Sequence, residues 1–146
     1  MKREKTIIKK LTLDDVGDVL KLEKSCFKNP WSKNSIESFL KGEKNESYGL
    51  IYEDGMVGYI LTSKLLDELT IDRVAINEKY RGYGLSFVLM NKIIDKNKDF
   101  NFTLEVSEKN ERAIRFYKSC GFKAEGKRKD YYAQGESAII MWRKII

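Results

Sequence analysis

The apolar residues of this chain are spaced at a period of two in some stretches and near 3.6 in others, and the changes of period mark its elements. Thr6–Leu11 alternates as a short strand would. Thr12 with Asp15 has the form of a capping box, and Val16, Val19, Leu20 and Phe27 follow at helical spacing, which predicts a first helix. Pro30-Trp31-Ser32 interrupts it, and Ser32 can cap a second helix with Ile36, Phe39 and Leu40 on one face. Tyr48–Tyr52 and Met56–Ser63 flank Glu53-Asp54-Gly55, whose Asp-Gly pair signals a hairpin. A further strand, Glu68–Ile76, leads into Arg81-Gly82-Tyr83-Gly84-Leu85-Ser86 and an apolar helix to about Lys96. Phe100, Phe102, Leu104 and Val106 alternate with Asn101, Thr103, Glu105 and Ser107, so Glu105 and Leu104 face opposite sides of a strand. Asn110 caps a helix carrying Ala113, Ile114, Phe116 and Tyr117, and Gly121 closes it. Phe122–Lys129 and Glu136–Ile145 complete the chain as a hairpin. The order, ββαβαββ after a helical pair, predicts a mixed α/β fold.

Composition narrows what such a fold can do. The chain has 146 residues, the size of one compact domain, and residues 1–146 read as a single unit without linker or repeat. No apolar run approaches the roughly 20 residues needed to span a bilayer, and no signal-peptide pattern follows the basic start, so a cytoplasmic protein is expected. Histidine is absent, which removes imidazole catalysis, Ser-His-Asp and Cys-His triads and zinc–histidine sites. Cys26 and Cys120 lie far apart without a CxxC partner, so no metal site is expected. The formal net charge of +6 favours an anionic partner, whether nucleic acid, ribosome or a phosphorylated small molecule.

Three features can carry chemistry. Main-chain N–H groups where Gly82 and Gly84 turn into a helix can hold a pyrophosphate, although a tight strand-to-helix connection looks the same. The turn lacks the third glycine of a Rossmann fingerprint and the Gly-Lys-Ser/Thr of a Walker loop. Glu105 is a carboxylate in an otherwise apolar strand, either a costly buried charge or a partly exposed strand-end residue. Tyr117 is a phenol on the next helix, by default an amphipathic core tyrosine.

Together these features resemble the GNAT superfamily of N-acetyltransferases. Arg81-Gly82-Tyr83-Gly84-Leu85-Ser86 is similar to its Gln/Arg-x-x-Gly-x-Gly/Ala signature, between strand and helix in the family's order. Asn29-Pro30-Trp31-Ser32, Leu104-Glu105-Val106, Ala113-Ile114-Arg115-Phe116-Tyr117, Gly121-Phe122 and Tyr131-Tyr132 resemble the bacterial ribosomal-protein-alanine subgroup, which modifies the N-terminal alanine of small ribosomal subunit protein 18.

The resemblance implies a mixed, mostly antiparallel central sheet with helices on both faces and splayed central strands. It implies acetyl-coenzyme A (acetyl-CoA) as acyl donor, its pyrophosphate on the amides of Gly82–Phe87, with Arg81, Tyr83, Gly84, Leu85 and Ser86 in that loop. The backbone of Val74, Ala75 and Ile76 would pair with the pantetheine arm, Asn110 would contact the cofactor, and no metal would take part. Glu105 would take the proton of the acceptor amine and Tyr117 would return one to the leaving thiolate, with amides beside Ile76 facing the oxyanion. Trp31, Tyr131 and Tyr132 would line an acceptor groove for a protein N-terminus, although bulky aromatics beside a loop are as often plugs.

Ser86 stands where the family usually has glycine or alanine, and Arg73, Ser107 and Ser137 replace an asparagine, an arginine and an aspartate common in the subgroup. Two alternatives remain at this stage: the same chemistry on a lysine, polyamine or other small amine, and a silent basic module binding nucleic acid through runs such as Lys127-Arg128-Lys129. No nucleic-acid motif supports the second, so direct nucleic-acid binding is not expected.

Overall fold

A computed structural model describes residues 1–145. Strand β1 (Ile7–Lys10) is a short, exposed edge. Thr12 and Asp15 form the expected capping box, closed on a 3-10 turn from which α1 (Val16–Cys26) continues. Ser32 accepts the Ser35 N–H at the start of α2 (Lys33–Lys41). Strands β2 (Glu46–Tyr52), β3 (Gly55–Leu65) and β4 (Glu68–Ile76) form the meander, followed by α3 (Leu85–Lys96), β5 (Asn101–Ser107), α4 (Glu111–Ser119), β6 (Lys123–Ala133) and β7 (Glu136–Arg143). Three strands therefore separate the helical pair from α3, not two, and β6 runs four residues beyond Lys129.

The Asp-Gly signal predicts the β2–β3 hairpin correctly but not its turn. Tyr52 pairs with Gly55, so the two-residue loop is Glu53-Asp54, and both of these take positive φ (50° and 65°) as a type I′ turn requires. The glycine opens the next strand instead.

The seven strands form one sheet in the order β1-β2-β3-β4-β5-β7-β6, and every neighbouring pair is antiparallel except β4–β5. That exception organises the molecule. The parallel pairing covers Glu68–Thr70 against Asn101–Thr103 and then stops, so Ile71–Ile76 and Leu104–Ser107 diverge. The expected splay of the central strands is this parting.

Two apolar layers cover the sheet. On one face Leu85, Leu89, Met90 and Ile93 of α3 pack with Leu69, Ile71, Phe102, Leu104 and Val106, with Ile114, Phe116 and Tyr117 of α4 against them. On the other, Val16, Val19 and Leu22 of α1 and Ile36 of α2 pack on Tyr59, Leu61 and Ala75. Helices lie on both faces, as the resemblance implies.

A bulge in β4 decides which residues reach which layer. Leu61 pairs with Arg73 while the next residue, Thr62, pairs with Ile71, which leaves Asp72 as the extra residue. Leu69 and Ile71 face α3; beyond the bulge the parity flips, and Ala75 faces α1 instead. Arg73 goes with Ala75, toward α1.

Candidate active site

Where β4 and β5 part, a cavity of about 540 Å³ opens between α3 and α4. Val74, Ala75 and Ile76 form one wall, and Arg81, Gly82, Gly84, Leu85, Ser86 and Phe87 form the end beside α3. Asn110, Arg112, Ala113, Phe116 and Tyr117 close the α4 side. Of the loop residues expected at a phosphate, Tyr83 alone is not part of the wall; its side chain is exposed.

The loop has its shape because two residues sit in left-handed backbone, Gly82 at φ 88° and Gly84 at φ 75°. A side chain at Gly82 would meet open space, so the main chain there is accessible. Gly84 occupies the cap position of α3 and has no side chain to offer, and the N–H groups of Leu85, Ser86 and Phe87 are the unpaired donors of a helix's first turn. Three amides and a helix dipole therefore point at one end of the cavity, the arrangement that binds phosphate. Arg81 is held there by donating Nε–H to the Ile76 carbonyl at 3.0 Å.

The wall opposite suits an extended ligand. Beyond Thr70 the β5-facing edge of β4 has no strand partner among the described residues, which leaves main-chain groups along Val74–Ile76 open to one, apart from the Ile76 carbonyl that Arg81 and Cys26 occupy. Asn77 N–H is taken, donating to Val57 at 2.8 Å, so that amide is not available to an oxyanion. Asn110 Oδ1 caps α4 by accepting the Ala113 N–H at 3.2 Å, and among the described residues its NH₂ group has no protein partner. One side chain can cap and still donate into the cavity.

Glu105 does not line this cavity. The burial of β5 alternates strictly, with Phe102, Leu104 and Val106 inside, so Glu105 projects to the other face at the mouth of the gap. There its carboxylate forms an ion pair with Arg128, Oε1 lying 2.9 Å from Nε. The two expected tyrosines are beside it. The β6–β7 register breaks between Arg128 and Ala133, with Asp130 at φ 54°, and the intervening residues carry Tyr131 and Tyr132 with ring centroids 5.1 Å apart. Burial pushes the Tyr132 phenol up, and the neighbouring Glu105 charge raises it further while Arg73 opposes.

Tyr117 lies on the cavity side, its ring against Phe116 and Phe122 with centroids 5.4 and 5.9 Å away. Burial raises its phenol to about 12, with Cys120 and Tyr132 adding to the shift. Its hydroxyl makes no hydrogen bond among the described residues. Trp31 stands apart from the cavity, in the loop between α1 and α2, 5.4 Å from the Phe39 ring.

Several site residues escape sequence reasoning. Arg112 and Tyr80 line the cavity, as does Cys26, whose Sγ–H donates to the Ile76 carbonyl at 3.6 Å. Arg3 reaches the phosphate loop from the N-terminus, its Nη1 2.8 Å from where a Gly84 side chain would begin. Position in a local pattern cannot reveal contacts between such distant segments. Among the described residues no three His, Cys, Asp or Glu side chains cluster as metal ligands, and no helix is long and apolar enough to cross a membrane.

Residues 16–122, which contain the loop, the parted strands and α4, match the Acetyltransferase (GNAT) family. The chain belongs to this family. As a GNAT protein it is an acyltransferase, and its relatives agree. It is 31% identical over 140 residues to the [Ribosomal protein bS18]-alanine N-acetyltransferase of Escherichia coli K12, covering 92% of this chain and 94% of that one. The crystal structure of the ribosomal-protein-S18-alanine N-acetyltransferase from E. coli superposes with a TM-score of 0.90 at 29% identity, over 96% and 94% of the two chains. An Arabidopsis thaliana GNAT-fold structure, NAA60 in complex with acetyl-CoA, matches at TM-score 0.83 and 14% identity over 94% and 97%, which shows a shared fold.

Proposed function

We propose that this GNAT enzyme transfers acetyl from acetyl-CoA to a protein N-terminus, with the N-terminal alanine of ribosomal protein bS18 as acceptor, and that it works in the cytoplasm where that protein is made. The observation that carries the reading is the gap between β4 and β5. It joins a phosphate-binding loop on one face to Glu105 and two tyrosines on the other, so a donor and a protein chain can approach from opposite sides. The acceptor's identity draws support from the names of relatives at 31% identity.

The residues fit acetyl-CoA. The first-turn amides of α3, with Arg81 and Ser86, would bind its diphosphate; the open edge of Val74–Ile76 would pair with the pantetheine arm as an added strand; and the free amide of Asn110 would donate to it. The donor supplies an activated acetyl thioester.

An α-amine with a pKa of about 7.7–8.0 is largely protonated at neutral pH and cannot attack until it loses a proton. Glu105 is the group that receives it, directly or through one water. Arg128 now occupies that carboxylate, so an acceptor ammonium must displace one cation to place another. Tyr117 stays protonated across the working range. A phenol at about 12 is a weaker acid than an ordinary thiol by roughly three orders of magnitude, so it stabilises the departing sulfur by donating a hydrogen bond, and the thiolate takes its proton from solvent.

Mass spectrometry of a panel of peptides incubated with enzyme and acetyl-CoA tests the assignment. Acetylation of an alanine-starting bS18 peptide is expected, and turnover of small amines alone would sink the protein acceptor. Glu105→Gln should lower kcat about 100-fold at pH 7 with donor affinity unchanged, and the deficit should shrink as rising pH deprotonates the amine unaided. A loss independent of pH would remove Glu105 as the base.

A further inference from the structure

Away from the cavity lies a carboxylate with no solvent exposure. Glu23, on α1, is fully buried and accepts four hydrogen bonds. Tyr59 OH donates at 2.5 Å and Arg73 Nε at 3.0 Å to one oxygen; Arg73 Nη2 at 3.1 Å and the Trp31 N–H at 2.8 Å donate to the other. Arg73 Nη2 also donates to the Asn29 carbonyl at 3.0 Å, and the guanidinium lies 3.8 Å from the centre of the Phe27 ring. One ion pair thus grips the irregular segment 27–31 at Phe27, Asn29 and Trp31.

A buried ion pair is a poor way to hold a helix to a strand, because apolar residues of equal volume do so as well or better. What distinguishes this pair is what it holds. Arg73 leaves β4 immediately before the open stretch Val74–Ile76, on the face to which Glu105 projects, and its charge acts on the Tyr132 phenol there. The bulge at Asp72 is what turns Arg73 to this face.

We propose that Arg73 and Glu23 are positioning residues that hold segment 27–31, Trp31 included, as a preformed wall of the acceptor groove, and so set the affinity for the acceptor and not the rate of transfer. The proposal rests on the Glu105 face being the acceptor side. Lysine cannot serve at position 73, since one ammonium cannot span both Glu23 oxygens and the Asn29 carbonyl, nor stack on Phe27 as a guanidinium does.

The test combines steady-state kinetics, on an alanine-starting peptide with acetyl-CoA, and amide exchange of the ligand-free protein. Arg73→Lys keeps the buried charge compensated, and the double variant Glu23→Gln/Arg73→Met removes both charges, so neither leaves a lone buried ion. In both, KM for the peptide should rise about tenfold while kcat stays within about twofold; Phe27 also lines the donor cavity, so the KM for acetyl-CoA is not the discriminating readout. The Trp31 amide, which donates to Glu23, should exchange faster. Folded variants with wild-type peptide KM and wild-type Trp31 exchange overturn the proposal, as does a fall confined to kcat. A wild-type enzyme that acetylates small amines but no peptide would instead defeat the acceptor reading beneath it.

Discussion

At the scale of single residues, the two groups proposed to assist the transfer differ in what holds them. The Tyr117 ring packs on Phe116 and Phe122, and its hydroxyl has no hydrogen-bond partner among the described residues, so the hydroxyl contributes nothing evident to the fold. Tyr117→Phe is expected to lower kcat by 10- to 100-fold with both KM values and the melting temperature unchanged, as initial rates and thermal denaturation would check. Because its phenol lies near 12, wild-type activity should show no alkaline decline from its ionisation below about pH 11. Glu105 is paired with Arg128, which the proposed acceptor would displace. Arg128→Gln should lower the acceptor KM several-fold at low salt and narrow the gap to wild type at high salt, where the exposed pair is already screened. An unchanged KM at both ionic strengths would mean that the pair does not compete with substrate.

At the scale of elements, what was legible in the sequence depended on whether the signal was local. The capping box at Thr12 and Asp15, the caps at Ser32 and Asn110, and the glycines of the phosphate loop are short-range chemistry, and each element they begin is present. The bulge was not legible. Strict alternation along Glu68–Ile76 puts Ile71, Arg73 and Ala75 on one face, whereas Asp72 interrupts the count and sends Arg73 to Glu23. Nor could spacing show that Glu23, on a helix, would be buried, since its partners lie 8, 36 and 50 residues away. Asp72 itself is an element-scale cost. Burial raises its carboxyl above the ordinary value, only partly offset by the Ser63 hydroxyl donating at 2.7 Å. A raised aspartate destabilises the folded state once ionised, so Asp72→Asn should raise the melting temperature at pH 7 by roughly 2 °C, an advantage that vanishes in acid where Asp72 is protonated.

At the scale of the whole molecule, acid stability depends on carboxylates shifted the other way. Burial pushes Asp15 up, but Lys9 at 2.6 Å and the Thr12 N–H outweigh it and hold it below its ordinary 3.8. Burial likewise pushes Glu46 up, and Lys64, Tyr48 and Asn97 hold it below 4.5. Groups held low stabilise the fold above their unfolded values and lose that contribution as pH falls through the folded ones. Since there is no histidine, the melting temperature should be flat between about pH 6 and 8 and fall below about pH 4.5, as a series of thermal melts would show.

The parting of β4 from β5 has a consequence for turnover. Among the described residues, three backbone residue pairs join β4 to β5, so a pantetheine arm lying along Val74–Ile76 would act as an eighth strand that extends the seam. Each catalytic cycle would then knit the two halves together on loading and unstitch them when spent coenzyme departs, which makes release of product, and not acyl transfer, the natural slow step.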